Sequence, residues 1–426
     1  VKAPNPKLIL GIEIMRLMVY SHDAFGLGNV RRMLAICEYL LDEIPQLSIL
    51  LLSGSPMLQG FRLPKRLDYI KLPCLNRGKT GEVAVKFLGM DIDETIKLRS
   101  QLILSAAVNF KPDVFLVDKK PLGIKNELKK TVNYLHKHLP KTKLVLLLRD
   151  ILDAPEKTIN EWEKHQYYQT IDKFYQLLLV VGLEEVFDFC KEYKLPATIV
   201  EKLRFCGYIR RPHGCKTSKI IRQELQLKPK EKLVLVTPGG GEDGYQLVNT
   251  YLQGQELLKN HQDCIQSLIF CGPEMPKEQK EELYKVATKY PQVKMREFTD
   301  DLMSYVSAAD VVVSMGGYNT ICEILSAGKP AIIVPRINPS QEQLIRSERM
   351  NYLGLLKSIN PELLTSTTLM TQLFKVLDNP QKPKHIDLEG LSRIARQIRN
   401  LLVDKITENH PEFVCSQFKP ISSISG

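Results

Sequence analysis

The sequence predicts an α/β protein built from two doubly wound domains that face each other across a cleft. Short apolar runs alternate with longer segments of helical periodicity along most of the 426 residues. This alternation is typical of a parallel sheet covered by helices on both faces. It lapses between residues 208 and 231, where apolar residues become sparse and Pro212, Gly214 and Pro229 appear. The sequence therefore indicates two such sheets joined by a linker.

On this basis the chain divides into six segments. We predict an N-terminal extension (1–14), a first domain (15–207), the linker (208–231), a second domain (232–380), a C-terminal helix (381–408) and a mobile tail (409–426). Met15, at the start of the first apolar run, is a candidate translation start. Within the first domain, the spacing of apolar residues predicts helices over 158–173 and 184–194.

The composition excludes several classes of protein. Hydrophobic residues make up 44% of the chain and charged residues 25%, which is ordinary for a soluble globular protein. The most apolar stretch, Leu8 to Tyr20, contains Glu13 and Arg16, so we expect neither a transmembrane helix nor a signal peptide. Nine cysteines without a CxxC pair favour a reducing, cytoplasmic location over a disulfide framework or a zinc site.

The chain is basic, with 59 Lys and Arg residues against 48 Asp and Glu residues and a formal net charge of +11. Such a protein can bind nucleic acid, an anionic membrane surface, or an acidic substrate such as a nucleotide diphosphate. The basic residues are scattered in pairs such as Arg31-Arg32 and Lys119-Lys120, and no nucleic-acid-binding signature is recognisable. We therefore predict no nucleic-acid partner and interpret most of these charges as solvated helix faces.

Two glycine-rich turns in the second domain are candidates for anion binding. Gly316-Gly317 separates the apolar run VVVS from a helical segment, so the first N–H groups of that helix and its dipole can face an anion. The alternative is a tight corner without a ligand. Gly239-Gly240-Gly241 also follows an apolar run, and its successive N–H groups can form a nest for a phosphate. The alternative there is a flexible solvent loop.

Glu323 lies one turn into the helix that follows Gly317. Its carboxylate can accept hydrogen bonds from both hydroxyls of a ribose while the helix N-terminus holds phosphate. The competing interpretation is a capping box formed by Thr320 and Glu323, which explains the spacing without any ligand. From the residues alone, both interpretations stay open.

Titratable residues follow the apolar runs of the first domain. His22 can act as a general base, because a neutral imidazole near pH 7 suits the deprotonation of a hydroxyl. The alternative is a merely polar loop histidine. Asp23, Asp118 and Asp150 also follow apolar strands, and each can serve as a base or as an orienting partner.

Two basic residues at neighbouring strand ends, Lys119 and Arg149, can supply positive charge to a diphosphate. The segment Gly26-Leu27-Gly28 is only a weak dinucleotide fingerprint, since Arg31 occupies its third glycine position and no acidic residue ends the second strand. An NAD-linked enzyme is therefore disfavoured.

The segment SMGGYNTICEILSAGKPAIIVPR at 314–336, followed by Gln341-Glu342-Gln343, resembles the donor domain of the GT-B-fold nucleotide-sugar glycosyltransferases of family 28. In particular it resembles a bacterial group of predicted glycosyltransferases. The resemblance implies two Rossmann-like domains, with the nucleotide sugar held by the C-terminal one. It implies that the donor's phosphates and ribose contact Gly316, Gly317, Asn319, Thr320 and Glu323. The donor's sugar would contact Glu342 and Gln343, and its uracil would contact Phe298 and Thr299. We assign the Gly239–Gly241 loop to the same donor-binding site.

A shorter resemblance is carried by HDAFGLGNVRR at 22–32, which is similar to the acceptor-side Gly-x-Gly-His loop of the family. Gly26 and Gly28 occupy its glycine positions, but Asn29 stands where the family has a histidine. Asn29 cannot act as a base. Either His22 or a carboxylate, for which we name Asp118, takes that role, or the reaction relies on orientation and electrostatics, or catalysis is lost.

The resemblance therefore predicts a hexosyltransferase that moves a sugar from a UDP-sugar to an acceptor hydroxyl with inversion. No cofactor is expected, and no Asp-x-Asp metal site is apparent. The alternatives are a UDP-sugar 2-epimerase of the same fold and a non-catalytic nucleotide-sugar-binding protein. The basic surface and the family allow a lipid-linked acceptor, or one at the membrane surface, and a peripheral position at the inner face of the membrane.

Overall fold

A computed structural model describes residues 14–22, 28–78, 82–261, 264–380 and 384–409. Gly26 and Asp23, the extension up to residue 13 and the tail from residue 410 onward lie outside these residues.

The first domain is a parallel sheet with helices on both faces. Its strands and helices in chain order are β1 (Met15–Tyr20), α1 (Gly28–Glu43), β2 (Leu47–Ser53), β3 (Leu67–Lys71), β4 (Leu75–Arg77), β5 (Val83–Val85), α2 (Ile92–Phe110), β6 (Val114–Asp118), α3 (Lys129–His138), β7 (Lys143–Arg149), α4 (Pro155–Lys164), α5 (Tyr167–Phe174), β8 (Leu177–Val181), α6 (Phe189–Glu192), α7 (Ala197–Val200) and β9 (Leu203–Phe205). Seven strands pair in the order β3-β2-β1-β6-β7-β8-β9, and β4 and β5 form a separate antiparallel hairpin.

The second domain repeats this plan. Its elements in chain order are α8 (Ser218–Glu224), β10 (Lys232–Thr237), α9 (Tyr245–Gln253), β11 (Ile265–Phe270), α10 (Lys277–Ala287), β12 (Val293–Arg296), α11 (Leu302–Ala308), β13 (Val311–Ser314), α12 (Tyr318–Ala327), β14 (Ala331–Ile333), α13 (Glu342–Tyr352), β15 (Lys357–Ser358), α14 (Ser366–Asp378) and α15 (Gly390–Asn409). The sheet order is β12-β11-β10-β13-β14-β15, again with parallel pairing throughout.

These two parallel sheets confirm the predicted fold class. Central strands such as β6, β8 and β13 are buried along their whole length, as expected for strands that helices cover on both faces. In each sheet the order reverses beside the first strand, at β1 and at β10. Ligands of doubly wound sheets bind at such switch points, beyond the carboxyl ends of the strands.

Two predicted helices differ from the observed ones. The helix expected over 158–173 is split into α4 and α5, because Gln166 between them adopts a left-handed conformation with φ of 53°. The helix expected over 184–194 is reduced to the single turn of α6. Both predictions rested on the spacing of apolar residues in the sequence. That spacing is the same whether the helix is continuous or interrupted, so it does not reveal a local break in the backbone.

The domains are joined by packed elements as well as by the chain. Helix α8, within the segment 208–231, packs against α11, and its Arg222 pairs with Asp310 at 3.1 Å. The C-terminal helix α15 packs back on α1 of the first domain. As a result, one hydrophobic cluster runs without interruption from the first sheet through Tyr208 to α12. Among the described residues, none of the helices is both long and apolar enough to cross a bilayer.

Candidate functional site

The carboxyl ends of both sheets face a common cavity of about 340 Å³. Most of the predicted site residues line it. From the first domain these are His22 and Asn29, and from the second they are Gly239, Gly240, Gly241, Phe298, Thr299, Gly317, Asn319, Thr320, Glu323, Glu342 and Gln343. Residues that are more than 300 positions apart in sequence thus meet in one place. Two predicted residues, Asp118 and Gly316, are described but are not part of its wall. Gly28 is described only as the first residue of α1.

The N-terminus of α12 opens into this cavity. Gly317 is the N-cap of the helix, with φ of −63° and ψ of 138°, and a Cβ placed on it would meet no atom within 4 Å. Gly316 is packed instead, since a Cβ there would lie 2.7 Å from Oγ of Ser347. The N-terminal turn of the helix and the positive end of its dipole therefore border open space, as an anion site requires.

The capping-box interpretation of Thr320 and Glu323 is wrong. A capping box needs Thr320 at the N-cap, but the N-cap is Gly317 and Thr320 lies within the first helical turn. Glu323 is therefore an interior helical residue that is only 5% exposed. Burial raises the pKa of its carboxyl group, and the positive charges of Arg31 and Arg211 oppose that shift. Among the described residues, no donor forms a hydrogen bond with this carboxylate, which lines the cavity.

The Gly239–Gly241 loop is ordered by its packing, which argues against the flexible-loop alternative. Gly241 and Gly272 have φ of 95° and 91°, and a Cβ on Gly241 would lie 2.3 Å from the carbonyl oxygen of Cys271. The N–H of Glu274 also donates to the carbonyl of Gly240 at 2.8 Å. Gly241 and Gly272 thus permit a close contact between two loops. Gly239, with φ of 79°, lies opposite Oγ1 of Thr320.

Phe298 and Thr299, the predicted base-binding residues, follow β12 at one end of the cavity. Phe298 is 56% exposed although it is a large aromatic residue. An aromatic face that borders a cavity can stack on a planar base. The hydroxyl of Thr299 accepts the N–H of Asp301 at 3.2 Å, which fixes the turn that carries Phe298.

Glu342 and Gln343 begin α13, and Glu342 is held by a buried charge network. The Arg346 guanidinium, with 0% exposure, donates to Glu342 at 2.6 Å and to both carboxylate oxygens of Asp150 at 2.7 and 2.8 Å. Burial alone would raise the pKa of Glu342, but Arg346 and Arg149 hold it at about 2. Arg346 also donates to the carbonyl of Gly316 at 2.8 Å. One side chain therefore ties α13, the glycine turn and the first domain together.

On the first-domain side, His22 is a buried wall residue whose backbone N–H donates to Asp118 at 3.3 Å. The Asn29 amide donates to the carbonyl of His22. Burial, and next the positive charge of Lys119, hold the pKa of His22 well below its usual value, so the imidazole is neutral near pH 7. Its Nδ1 has no hydrogen-bond partner among the described residues.

Asp118 lies behind this wall rather than on it. Its carboxylate accepts a charged hydrogen bond from Arg32 at 2.6 Å, and both side chains are buried. The guanidinium of Arg32 in turn lies 5.9 Å from the ring centroid of Tyr318, on whose ring Arg346 also packs at 5.7 Å. This arrangement suits Asp118 for holding Arg32 and the loop of His22 in place.

Sequence reasoning missed several wall residues. Arg32, which we interpreted as a solvated helix face, is only 2% exposed, and Arg31, Tyr318, Glu274 and Arg336 also line the cavity. Arg336 pairs with Asp243 at 2.8 Å and so connects the loop after β14 to the glycine loop. Arg31 and Arg32 directly follow the acceptor-side loop in the sequence, and this position could have indicated that both belong to the site.

The second domain matches a known family. Residues 233–398 match the model of the glycosyltransferase family 28 C-terminal domain. A glycosyltransferase of uncharacterized activity from Methanopyrus kandleri is 24% identical over 233 residues, which is 54% of this chain and 62% of that protein. The UDP-N-acetylglucosamine--N-acetylmuramyl-(pentapeptide) pyrophosphoryl-undecaprenol N-acetylglucosamine transferase of Glaesserella parasuis is 27% identical over 113 residues, or 26% of this chain and 32% of that protein.

Solved structures are similar over nearly the whole chain. MurG of Acinetobacter baumannii has a TM-score of 0.56 and 17% identity, covering 93% of this chain and 99% of that one. A putative UDP-N-acetylglucosamine 2-epimerase from Listeria monocytogenes has a TM-score of 0.61 and 12% identity, covering 93% and 97%. With the two facing parallel sheets, these likenesses show the GT-B fold. They and the family match confirm the predicted resemblance to glycosyltransferase family 28 in the C-terminal half.

Proposed function

We propose that this protein is a glycosyltransferase that moves a sugar, with inversion, from a UDP-sugar to an acceptor hydroxyl. The observation that carries the proposal is the meeting, in one cavity, of the open N-terminus of α12, the buried carboxylate of Glu323 and a set of basic residues from the facing domain. The family match of residues 233–398 and the transferase activity named for the Glaesserella relative support the same conclusion.

The donor would lie along the second sheet. Its diphosphate would meet the N–H groups of α12 beyond Gly317, with Gly239 opposite, because this is where the backbone is open and the helix dipole is positive. Glu323, one turn further, would accept the ribose hydroxyls, and Phe298 would stack on uracil. Glu342 and Gln343 would contact the sugar, which places the anomeric carbon toward the first domain.

His22 is the base that the geometry favours. It borders the cavity and is neutral near pH 7, whereas Asp118 lies behind the wall and is paired with Arg32. In the proposed step, the acceptor hydroxyl gives its proton to His22 and its oxygen forms a bond to the anomeric carbon. The bond from that carbon to the β-phosphate oxygen breaks, and the electron pair leaves with UDP.

We propose that this step needs no metal ion. The departing UDP carries the developing negative charge, and the helix N-terminus with Arg31 can stabilise it in place of a divalent cation. Metal-stripped protein assayed with EDTA should therefore turn over as fast as untreated protein. A loss of activity on stripping that Mg²⁺ or Mn²⁺ restores would count against this part of the proposal.

A calorimetric titration with UDP, other nucleoside diphosphates and a panel of UDP-sugars tests the donor assignment, and product analysis tests the chemistry. We expect UDP to bind most tightly among the diphosphates, and one UDP-sugar to give a glycoside and UDP when an acceptor is present. Conversion of the UDP-sugar without any acceptor would favour the 2-epimerase alternative instead. Binding without turnover on any acceptor would indicate a non-catalytic protein.

The acceptor class is inferred from the substrate of a relative. The pyrophosphoryl-undecaprenol substrate named for the Glaesserella relative makes a lipid-linked acceptor at a membrane surface the first candidate. This would place the protein peripherally at the inner face of the membrane, so the acceptor panel should begin with polyprenyl-phosphate and polyprenyl-pyrophosphate sugars in detergent.

A further inference from the structure

Two basic residues of the first domain, Lys119 and Arg149, lie side by side where β6 and β7 end. The backbone N–H of Lys119 donates to the carbonyl of Leu147 at 2.8 Å and so continues the pairing of the two strands by one residue. Lys119 has φ of 70°, a left-handed conformation that is unfavourable for a residue with a Cβ. The turn presents its side chain to the cavity, next to Arg149.

The positive charge of this pair is only partly compensated. The two nearest carboxylates are engaged elsewhere, since Asp118 pairs with Arg32 and Glu342 pairs with Arg346, each at 2.6 Å. Arg149 reaches Glu342 only at 3.6 Å, and its Nε has no partner among the described residues. No ion pair with Lys119 is found among them either. Burial and the charges of Arg149 and Lys120 lower the pKa of Lys119 to about 8.

The pair is also separate from the proposed diphosphate cradle. The cradle is built from α12 and the Gly239 loop of the second sheet, whereas Lys119 and Arg149 belong to the first. Glu342, a proposed sugar contact, lines the same cavity and is the carboxylate that Arg149 approaches at 3.6 Å. An anion held by the pair would therefore lie next to the sugar, on the first-domain side of the cavity.

We propose that Lys119 and Arg149 form a second anion subsite, for a phosphate or carboxylate group that is not part of the nucleotide. Such a group can belong to the acceptor or to the transferred sugar. Two cations that repel each other within a partly buried wall are stabilised by an anion between them, and both residues line the cavity that such an anion would enter. This inference rests on the proposed function for the position of the sugar.

The test is a calorimetric titration of inorganic pyrophosphate into protein saturated with UDP. We expect a second binding event, weakened at least tenfold in Lys119→Met and in Arg149→Met, with UDP affinity changed less than threefold. Lys119→Gly removes the charge and also relieves the left-handed strain, so it keeps the test valid if Lys119→Met does not fold. Lys120→Met is the matched control, because Lys120 pairs with Glu161 at 2.5 Å outside the cavity and should leave both events unchanged.

A parallel titration separates the two sources of the anion. If the transferred sugar carries it, UDP-glucuronate should bind more tightly than UDP-glucose, and Lys119→Gly should abolish that preference. If the acceptor carries it, the two donors should bind alike and pyrophosphate should bind on top of either. A single event in which pyrophosphate only displaces UDP, with no preference for UDP-glucuronate, overturns the subsite. If the proposed function is wrong, UDP itself should not bind. If only the subsite is wrong, UDP should still bind.

Discussion

Glu323 is a buried helical carboxylate that accepts no hydrogen bond from the described residues, so a ligand contact explains its position better than a structural role. Replacing it with Ala should weaken UDP binding by roughly 1.5–3 kcal/mol, the range for a hydrogen-bonded charged group. Isothermal calorimetry would measure this loss. Glu297→Ala, at another carboxylate of the same cavity, is the control and should have a much smaller effect. Unchanged UDP affinity in Glu323→Ala would refute the ribose contact.

His22 makes a prediction about pH. Because burial and neighbouring cations lower its pKa, the imidazole stays neutral, and able to accept a proton, well below pH 6.5. The cations Lys119, Lys120, Arg99 and Arg149 oppose its protonation. The carboxylate of Asp118 accepts the backbone N–H of His22 and is itself paired with Arg32. We expect kcat/KM to stay level between pH 8 and pH 6.5 and to fall only at lower pH.

Replacing His22 with Gln should lower kcat by about 10²–10⁴-fold, as expected for loss of a general base, while UDP affinity is retained. Asp118→Asn, which weakens the support behind His22, should have a smaller effect on kcat. A pH profile with an acidic limb near 6.5 would contradict the lowered pKa of His22. A His22→Gln variant with full activity would rule His22 out as the base.

At the scale of single residues, sequence reasoning succeeded where the chemistry is local. Gly317, Thr320 and Glu323 lie within seven residues of chain, so their spacing alone predicts that they share one wall of the cavity. Arg32 and Asp118 are 86 residues apart, and Arg346 and Asp150 are 196 apart. Neither pair has a local pattern, and each could be recognised only once the strand ends had been brought together.

At the scale of elements, the two glycine turns differ in what their glycines do. Gly317 has an allowed φ and empty space around it, so Gly317→Ala should leave the melting temperature unchanged but weaken UDP binding, because the added methyl group occupies the approach to the helix N-terminus. The affinity for uridine, which has no phosphate, should not change. Equal losses for UDP and uridine would contradict a phosphate site here.

Gly241→Ala provides the contrast. Its φ of 95° and the 2.3 Å approach to the carbonyl of Cys271 leave no room for a Cβ, so this change should destabilise the protein itself, by about 1–3 kcal/mol. A lower midpoint in thermal or urea unfolding would report it. If both variants were equally stable, the loop–loop contact would not be the constraint that the structure indicates.

Element-scale prediction was strongest for the buried parallel strands and weakest at the edges. Strands β6, β8 and β13 are continuous apolar runs, which sequence identifies directly. The hairpin β4–β5 and the two-residue β15 were not predicted, because short edge strands carry little apolar pattern. Helix α14 was also missed, although its Thr365 forms a capping box with Thr368. That box pairs two threonines and so lacks the usual acidic partner.

At the scale of the whole molecule, Arg346 connects the two domains. It joins Asp150 of the first sheet to Glu342 of α13 and to the carbonyl of Gly316, and Asp150 also accepts the hydroxyl of Tyr208 from the connecting segment at 2.9 Å. All these groups are buried, so removing the cation would leave carboxylates without compensation. The position of the Gly316 turn, which belongs to the proposed UDP-sugar site, is therefore coupled to the position of the first domain.

Arg346→Ala should cost about 3–5 kcal/mol, the range for breaking a buried ion pair, and should weaken UDP binding because the Gly316 turn loses its donor. Arg349→Ala is the matched control on the same helix. Arg349 also reaches across the domains, to Glu192 at 2.9 Å, but its side chain is 52% exposed, so we expect a loss of about 0–1 kcal/mol. Urea unfolding and UDP calorimetry on both variants would measure the difference. Similar losses would mean that the domains are held by their apolar cluster, and that Arg346 does not couple the first domain to the donor turn.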